Sequence, residues 1–435
     1  MLERMLQFWN ARKIARAELK ADVPKEQRRL VMLVGVALLI NHFDLNISSF
    51  ALPQIQRAFN VPEEQLGIWI AISRLGVLGA FILGFSADRV GRRAVLMWTI
   101  IGTTLVSLTT AFAQTAFQYF ALQTLMRALA YAEEIVCFVV VVEVMAKNRR
   151  GWAVGRLSAL GTLGAGIAAG LYGAFGGMTD GWRILYIIGG VGLAFLAIAR
   201  RSLKETDRFQ TALDERKAAT EKVSVFAPLI SLVRESPGRF LALAATTIPF
   251  IFGTASAIAF VSKRFQNDLG YTPHGMAMLF IAGGALSYNI YYVGGSLTDR
   301  FGRKRSLFIT IPLCALMYGV LYLSPHVVIA TGAWVVALSL MFMSEMILSM
   351  LGSELFSTDR RSTAAGARVA IGVVAGAVGL ATESLLYGYF GSHTATIAAL
   401  LCVAPLSLVA LLFLPETASR ELEEISAPAS SSGPS

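Results

Sequence analysis

Long apolar runs separated by short polar loops dominate this chain. Windowed reading finds about twelve of them. A first set lies at 30–52, 65–87, 93–113, 117–146, 153–178 and 182–200, and a second at 240–262, 276–298, 304–323, 327–354, 363–390 and 394–414. Each approaches the roughly 20 residues a helix needs to cross a hydrocarbon layer of about 30 Å. Ten-residue stretches of alternating polarity, the mark of a membrane β-barrel, are missing from the sequence. The pattern predicts an all-α membrane protein with twelve transmembrane helices in two six-helix bundles. The expected organisation is a segment 1–29, a bundle 30–200, a linker 201–239, a second bundle 240–414 and a tail 415–435 whose end is too polar and small to pack.

Composition agrees. Hydrophobic residues make up 55% of the 435 positions and charged residues 15%, with a mean hydropathy of +0.61. That apolar excess requires a lipid bilayer to cover it. The net charge of +10 is not spread evenly. Lys and Arg crowd 4–29, 89–93, 147–150, 200–234, 300–305 and 360–361, whereas the alternate loops hold few, such as Arg57, Arg183, Lys263 and Arg264. The positive-inside rule then places both termini in the cytoplasm of a cell whose inner membrane the chain crosses many times. Basic charge arranged this way serves topology and anionic lipid, not nucleic acid. Cys137, Cys314 and Cys402 form no CxxC pair and His42, His274, His326 and His393 are scattered, so no metal or cofactor is expected. There is no phosphate-binding loop and no hydrolase or protease motif, which disfavours ATP-driven transport and enzymatic activity.

The chain also repeats itself. Gly84-Phe85-Ser86-Ala87-Asp88-Arg89-Val90-Gly91-Arg92-Arg93 returns as Gly295-Ser296-Leu297-Thr298-Asp299-Arg300-Phe301-Gly302-Arg303-Lys304, at an offset of 211. The same offset carries Glu143 to Glu354, Arg150 to Arg361, Gly155 to Gly366 and Gly161 to Gly372. Two parallel repeats related by an axis along the membrane normal follow, with the substrate site between them near the midplane. The doubled G-x-x-x-D-R-x-G-R-[RK] resembles the signature loop of the major facilitator superfamily, and the resemblance covers nearly the whole chain. Ser353–Arg361 and Leu414–Ile425 resemble the metabolite and sugar porter branches. Asn41–Ile55 resembles the first span of aromatic acid:proton symporters, with Asn41 and His42 in place of that family's first acid and glycine, and Asp44 retained.

The resemblance implies that Gly84, Asp88, Arg89, Gly91, Arg92, Arg93, Gly295, Asp299, Arg300, Gly302, Arg303 and Lys304 form gating loops. They would be joined by ion pairs from Glu143, Arg150, Glu354 and Arg361. Gly84 and Gly295 would let neighbouring helices approach closely.

Charge inside the bilayer is costly and marks function. Asp44 shares a helical face with Asn41 and Ser48, while His42, Asn46 and Ser49 share another. Asp44 is the leading proton-coupling or substrate-binding candidate, because a desolvated carboxylate holds its proton more tightly than one in water. Arg127, Tyr131 and Glu134 share a face of the fourth span with Glu133 turned away, and Arg74 offers a further cation. The second repeat adds Glu345, Glu383, Tyr288, Asn289 and Tyr292. The buried acids outnumber Arg74 and Arg127, which speaks for proton coupling or a cationic or zwitterionic solute; the aromatic-acid resemblance speaks for an anion. The leading expectation is a monomeric secondary transporter of a small charged or polar metabolite, coupled to protons by symport. Proton-coupled efflux of drugs or metabolites and a transporter-like solute sensor are the alternatives.

Overall fold

The computed structural model describes residues 24–146, 149–201, 227–356 and 360–417. Most of the N-terminal segment, most of the linker and the end of the tail thus lie outside the described residues. Among the described residues the elements are helical. The first set comprises α1 (Lys25–Phe50), α2 (Leu52–Ala58), α3 (Glu63–Val90), α4 (Arg92–Ala111), α5 (Ala116–Val144), α6 (Arg150–Phe175) and α7 (Gly181–Arg200). The second comprises α8 (Ala227–Glu235), α9 (Pro237–Ala259), α10 (Pro273–Phe301), α11 (Arg303–Leu323), α12 (Val327–Glu354), α13 (Arg361–Phe390), α14 (His393–Leu401) and α15 (Ser407–Leu411). A short turn, Val261–Lys263, and a π-turn, Arg264–Asp268, follow α9.

Ten helical stretches among the described residues are long and apolar enough to cross a membrane. The long helices α5 and α10 fall outside that group. Arg127, Glu133 and Glu134 interrupt α5, whereas 276–293 of α10 carries no charged residue. Apolar side chains line the outer surface at helical spacing, as with Ile101 and Leu105 or Phe195 and Ile198, which are about half exposed or more. Such a surface is stable only against lipid.

The packing follows the 211-residue offset. In the first set α1 packs on α6, α3 on α5 and α4 on α7; in the second α9 packs on α13, α10 on α12 and α11 on α14. The contacts between sets correspond too, α3 lying against α13 and α10 against α6. Gly91 ends α3 at φ 114° and Gly302 ends α10 at φ 94°, a backbone region where a Cβ is strained. That turn lets the next helix start at once with the arginine that follows.

Candidate functional site

At the end of the molecule that carries residue 24 and residue 417, the residues of the repeated motif form matched networks. Arg92 Nη2 donates to Glu143 at 3.0 Å, and Arg303 Nε donates to Glu354 at 3.0 Å. Arg150 donates to the Met145 carbonyl and Arg361 to the Phe356 carbonyl, again one offset apart. Arg150 and Arg361 therefore bind backbone, where ion pairing was expected. The second set adds a clasp: Glu416 accepts from the backbone N–H groups of Arg303 and Lys304 at 2.8 and 3.1 Å. A carboxylate here satisfies donors that the start of α11 leaves unpaired. Lys304 Nζ in turn donates to the Leu412 and Leu414 carbonyls, and Arg93 to the Arg201 carbonyl. Arg300 is exposed. These side-chain bonds stay within their own set of helices.

Close approach at Gly84 is corrected. A Cβ there would sit 3.5 Å from Ile135, an ordinary contact. The tight point of the α3–α5 pair is Gly76, where a Cβ would lie 2.0 Å from the Thr124 carbonyl oxygen. The side chains of Asp88, Arg89, Tyr288, Asn289, Tyr292 and Asp299 lie outside the described set, as does the surrounding of Gly295.

The opposite end is tied across the two sets. Gln54 donates to Gln266 at 2.9 Å, Tyr172 to Gln266 at 2.8 Å, and Ser262 and Gln266 both donate to the Phe50 carbonyl. The Ile68 N–H donates to Ser384 at 2.9 Å, and Lys263 binds Gln56 and Glu63. The described residues are thus clasped at this end.

Below the clasp lies a small cavity of about 30 Å³, where Leu52, Ile70 and Phe120 join the polar Ser48, Ser49, Ser73, Arg74, Tyr119, Gln123 and Arg127 and, from the second set, Ala259. The two guanidinium groups are close enough to repel each other. Arg127 Nη2 makes only a long bond, 3.4 Å, to Ser48 Oγ. Its Nε and both polar atoms of Gln123 are buried without a hydrogen-bond partner. Neither arginine forms an ion pair among the described residues. Buried donors left open in this way call for a ligand or ordered water. Tyr131 lies near Arg74.

The predicted acids are distributed differently from the expected single cavity face. Glu133 is fully buried and paired with Arg200, which is also fully buried. Asn41 donates to the second oxygen of Glu133 at 3.1 Å. Asp44 is sealed too, with neither oxygen hydrogen-bonded. Its carboxylate rests against Gly189 of α7, where a Cβ would be 1.9 Å from Oδ1. Nearby Ser107 gives its hydroxyl to the Tyr186 carbonyl, 2.9 Å away. Of the face Asn41, Asp44 and Ser48, only Ser48 reaches the cavity; the other two point into the first set. His42 and Glu134 form a looser pair at 3.5 Å, both partly exposed. In the second set Arg368 donates to Glu345 at 3.1 Å, and Glu383 meets His393 at 2.5 Å.

This corrects the excess of acids. Arg200, Arg368, Lys263 and His393 answer Glu133, Glu345, Glu63 and Glu383, and His42 stands by Glu134. Among the deep charges this leaves Asp44 on one side and Arg74 and Arg127 on the other. Arg200 closes α7 and reads as a loop charge in the sequence, yet it turns into the bundle. Arg368 stood in plain view inside an apolar run.

Residues 34–380 match the family model described as Major Facilitator Superfamily. The chain belongs to that superfamily. It is an integral, multi-pass membrane transporter and not an enzyme. It is 26% identical over 93% of its length, and 94% of the relative's, to a probable 4-methylmuconolactone transporter of Cupriavidus pinatubonensis. A citrate-proton symporter of Klebsiella pneumoniae is 30% identical over 55% of each chain. Among solved structures, a bacterial homologue of the human lysosomal transporter Spinster, inward-facing and unoccupied, superposes with a TM-score of 0.73 at 15% identity, over 94% of this chain and all of the other. At that identity the likeness establishes the superfamily fold.

Proposed function

We propose that this transporter carries a small organic anion, taken up together with protons by alternating access. The observation that supports the reading is the pair Arg74 and Arg127, two cavity-lining cations without a carboxylate partner among the described residues. A guanidinium offers a carboxylate two parallel N–H donors, and a second one beside it raises the local positive potential. Binding the anion relieves the repulsion between them. The relatives named for citrate and for 4-methylmuconolactone are consistent with such a cargo.

Asp44 is the proton site in this reading. A sealed carboxylate without a hydrogen bond is accommodated most cheaply when it carries a proton. The Tyr119 and Tyr186 hydroxyls, 2.9 Å apart, connect the Arg127 cavity to the neighbourhood of Asp44. Glu134 with His42 would exchange the proton with the open side.

The fold in this proposal has twelve spans, α5 and α10 included, in two pseudo-symmetric bundles, 30–200 and 240–414. The linker 201–239, the segment 1–29 and the tail 415–435 lie in the cytoplasm, and the chain works as a monomer in the inner membrane. The clasped end then faces outward. The Arg92–Glu143 and Arg303–Glu354 networks belong to latches that close the inner end in the opposite state.

Purified protein in proteoliposomes, offered organic acids under an inward proton gradient, tests the function. Accumulation of a carboxylate that collapses in Arg127→Ala is expected. Solute-driven proton release would indicate efflux by exchange, and binding without flux a sensor.

A further inference from the structure

The clasped end holds a cluster of titratable groups that the substrate pathway does not use. His393 opens α14 and stands between two carboxylates. Its Nδ1 lies 2.5 Å from Glu383 Oε1 on α13, and its Nε2 lies 2.9 Å from Glu63 Oε2 on α3. Glu63 belongs to the first set and Glu383 to the second, so the imidazole bridges them. Glu383 is completely buried.

We infer that His393, Glu63 and Glu383 form a proton-binding site that holds the outer end shut. The reason is a count of hydrogens. Two close N···O contacts need two hydrogens. A neutral imidazole supplies one, and two ionised carboxylates supply none. With one hydrogen, a nitrogen lone pair would face an oxygen lone pair at hydrogen-bond distance. The cluster therefore binds one more proton when the three groups meet than when they stand apart in water at neutral pH. The proton sits on the imidazole, giving a cation between two anions, or on one of the carboxylates; the count is the same.

The rings around His393 favour the cation. Phe260 lies 4.6 Å from it on one side and Tyr387 4.3 Å on the other, centroid to centroid. Aromatic faces stabilise an imidazolium as they do other cations. Further charged or titratable groups stand around the cluster. Lys263, from the turn after α9, binds Glu63 and Gln56 and stands 3.5 Å from His393 Nε2. Its charge opposes the imidazolium, and Glu63 lies against both. Arg264 is answered by Asp268 at 3.1 Å. Tyr322 of α11 donates to the Ala257 carbonyl at 2.6 Å, and Glu64 of α3 is exposed. Taking Glu63, Glu383, Lys263 and the imidazolium together, the closed cluster is neutral; without the proton it holds a net negative charge in a largely buried place.

The sign of the pH effect follows. The clasped state binds more protons than the opened one, so lowering the pH favours it and raising the pH loosens it, by up to tenfold in the closed-to-open ratio per pH unit for one proton. The proton enters when the cluster assembles and leaves when it separates. It gates the outer end without being cargo, and it is distinct from the one proposed for Asp44.

The test is a distance measurement across the outer end with no organic acid present. Spin labels go on Thr179→Cys and Pro325→Cys, both exposed, in a Cys402→Ala background; Cys137 and Cys314 are buried. The expected result in lipid nanodiscs is a closed fraction that grows from pH 8 to pH 5. In His393→Gln the dependence should flatten by up to tenfold per pH unit relative to the parent, the loss of one bound proton. Glu383→Gln supplies an N–H in place of the shared proton and predicts the same flattening, which keeps the test open if His393→Gln does not fold. A pH response unchanged in a folded variant, or none in the parent, overturns the inference. Neither result bears on carboxylate binding at Arg127, which is read separately.

Discussion

Arg200 and Arg127 are two guanidiniums inside the same bundle of helices, and the protein treats them oppositely. Arg200 is fully buried against Glu133, with Asn41 holding the far oxygen of that carboxylate. Arg127 faces a cavity, reaches only a serine at 3.4 Å, and stands beside a second arginine. A buried ion pair adds little net stability, but either member left alone is very costly. The Glu133–Arg200 pair therefore reads as architecture that fixes α1, α5 and α7. Arg74 and Arg127 are destabilising as they stand, since like charges repel and neither meets a carboxylate among the described residues. An open buried Nε is common to Arg127 and Arg200 and does not separate them. Keeping such a pair makes sense where a ligand completes it.

The largest expected effect comes from breaking the sealed pair. Arg200→Ala should cost roughly 3–5 kcal/mol, read as a large drop in thermal unfolding temperature with transport falling in proportion to folded protein. If Arg200→Ala left stability intact and removed binding alone, the division into structural and functional cations would fail.

Arg127→Ala should do the reverse. Carboxylate affinity should fall by about tenfold to 150-fold, on the order of 1.5–3 kcal/mol for a charge-assisted bond, with thermal stability equal to or above the parent. Arg127→Lys keeps the charge but not the paired donors, and should retain an intermediate affinity. Equal binding by the lysine variant would mean that charge alone is recognised.

Asp88→Ala sharpens the comparison from outside the bundle. It should insert normally and slow the access cycle, read as reduced flux with unchanged equilibrium binding of substrate. A normal flux in the inserted variant would remove the latch role. A smaller effect is expected at Gln123, whose amide is open at both ends. Gln123→Ala should weaken binding by about 0.5–1.5 kcal/mol, a few-fold, in isothermal titration.

Much of the fold was legible in the sequence because lipid imposes a strong constraint on it. Apolar run length gives the long helices, ten of them long and apolar enough to span among the described residues, and the doubled motif gives the correspondence between α3 and α10 that the packing follows. Gly91 and Gly302 stood out only as members of the repeated motif; that each ends its helix at positive φ is seen in the structure. The site was only half legible. The sequence names every charge inside an apolar run, but helical periodicity cannot say which carboxylate meets which cation across 67 residues, as Glu133 meets Arg200. Asp44 was singled out for its depth; that it faces Gly189 rather than the cavity depends on the rotation of α1, which its weakly one-sided pattern does not determine. Glu63, Lys263 and His393 sit at helix ends, where charge is ordinary, and only their meeting across the two sets makes them unusual.

Arg74 and Arg127 as a carboxylate site is the central claim, and direct binding tests it most plainly. Citrate, benzoate and nicotinate should be titrated against purified parent and Arg127→Ala protein at fixed pH, with the neutral amides benzamide and nicotinamide as controls. The account predicts that at least one carboxylate binds the parent, that its amide binds at least tenfold more weakly, and that Arg127→Ala erases the difference. Equal affinity for acid and amide in the parent, or a preference for acid that survives in Arg127→Ala, would contradict it.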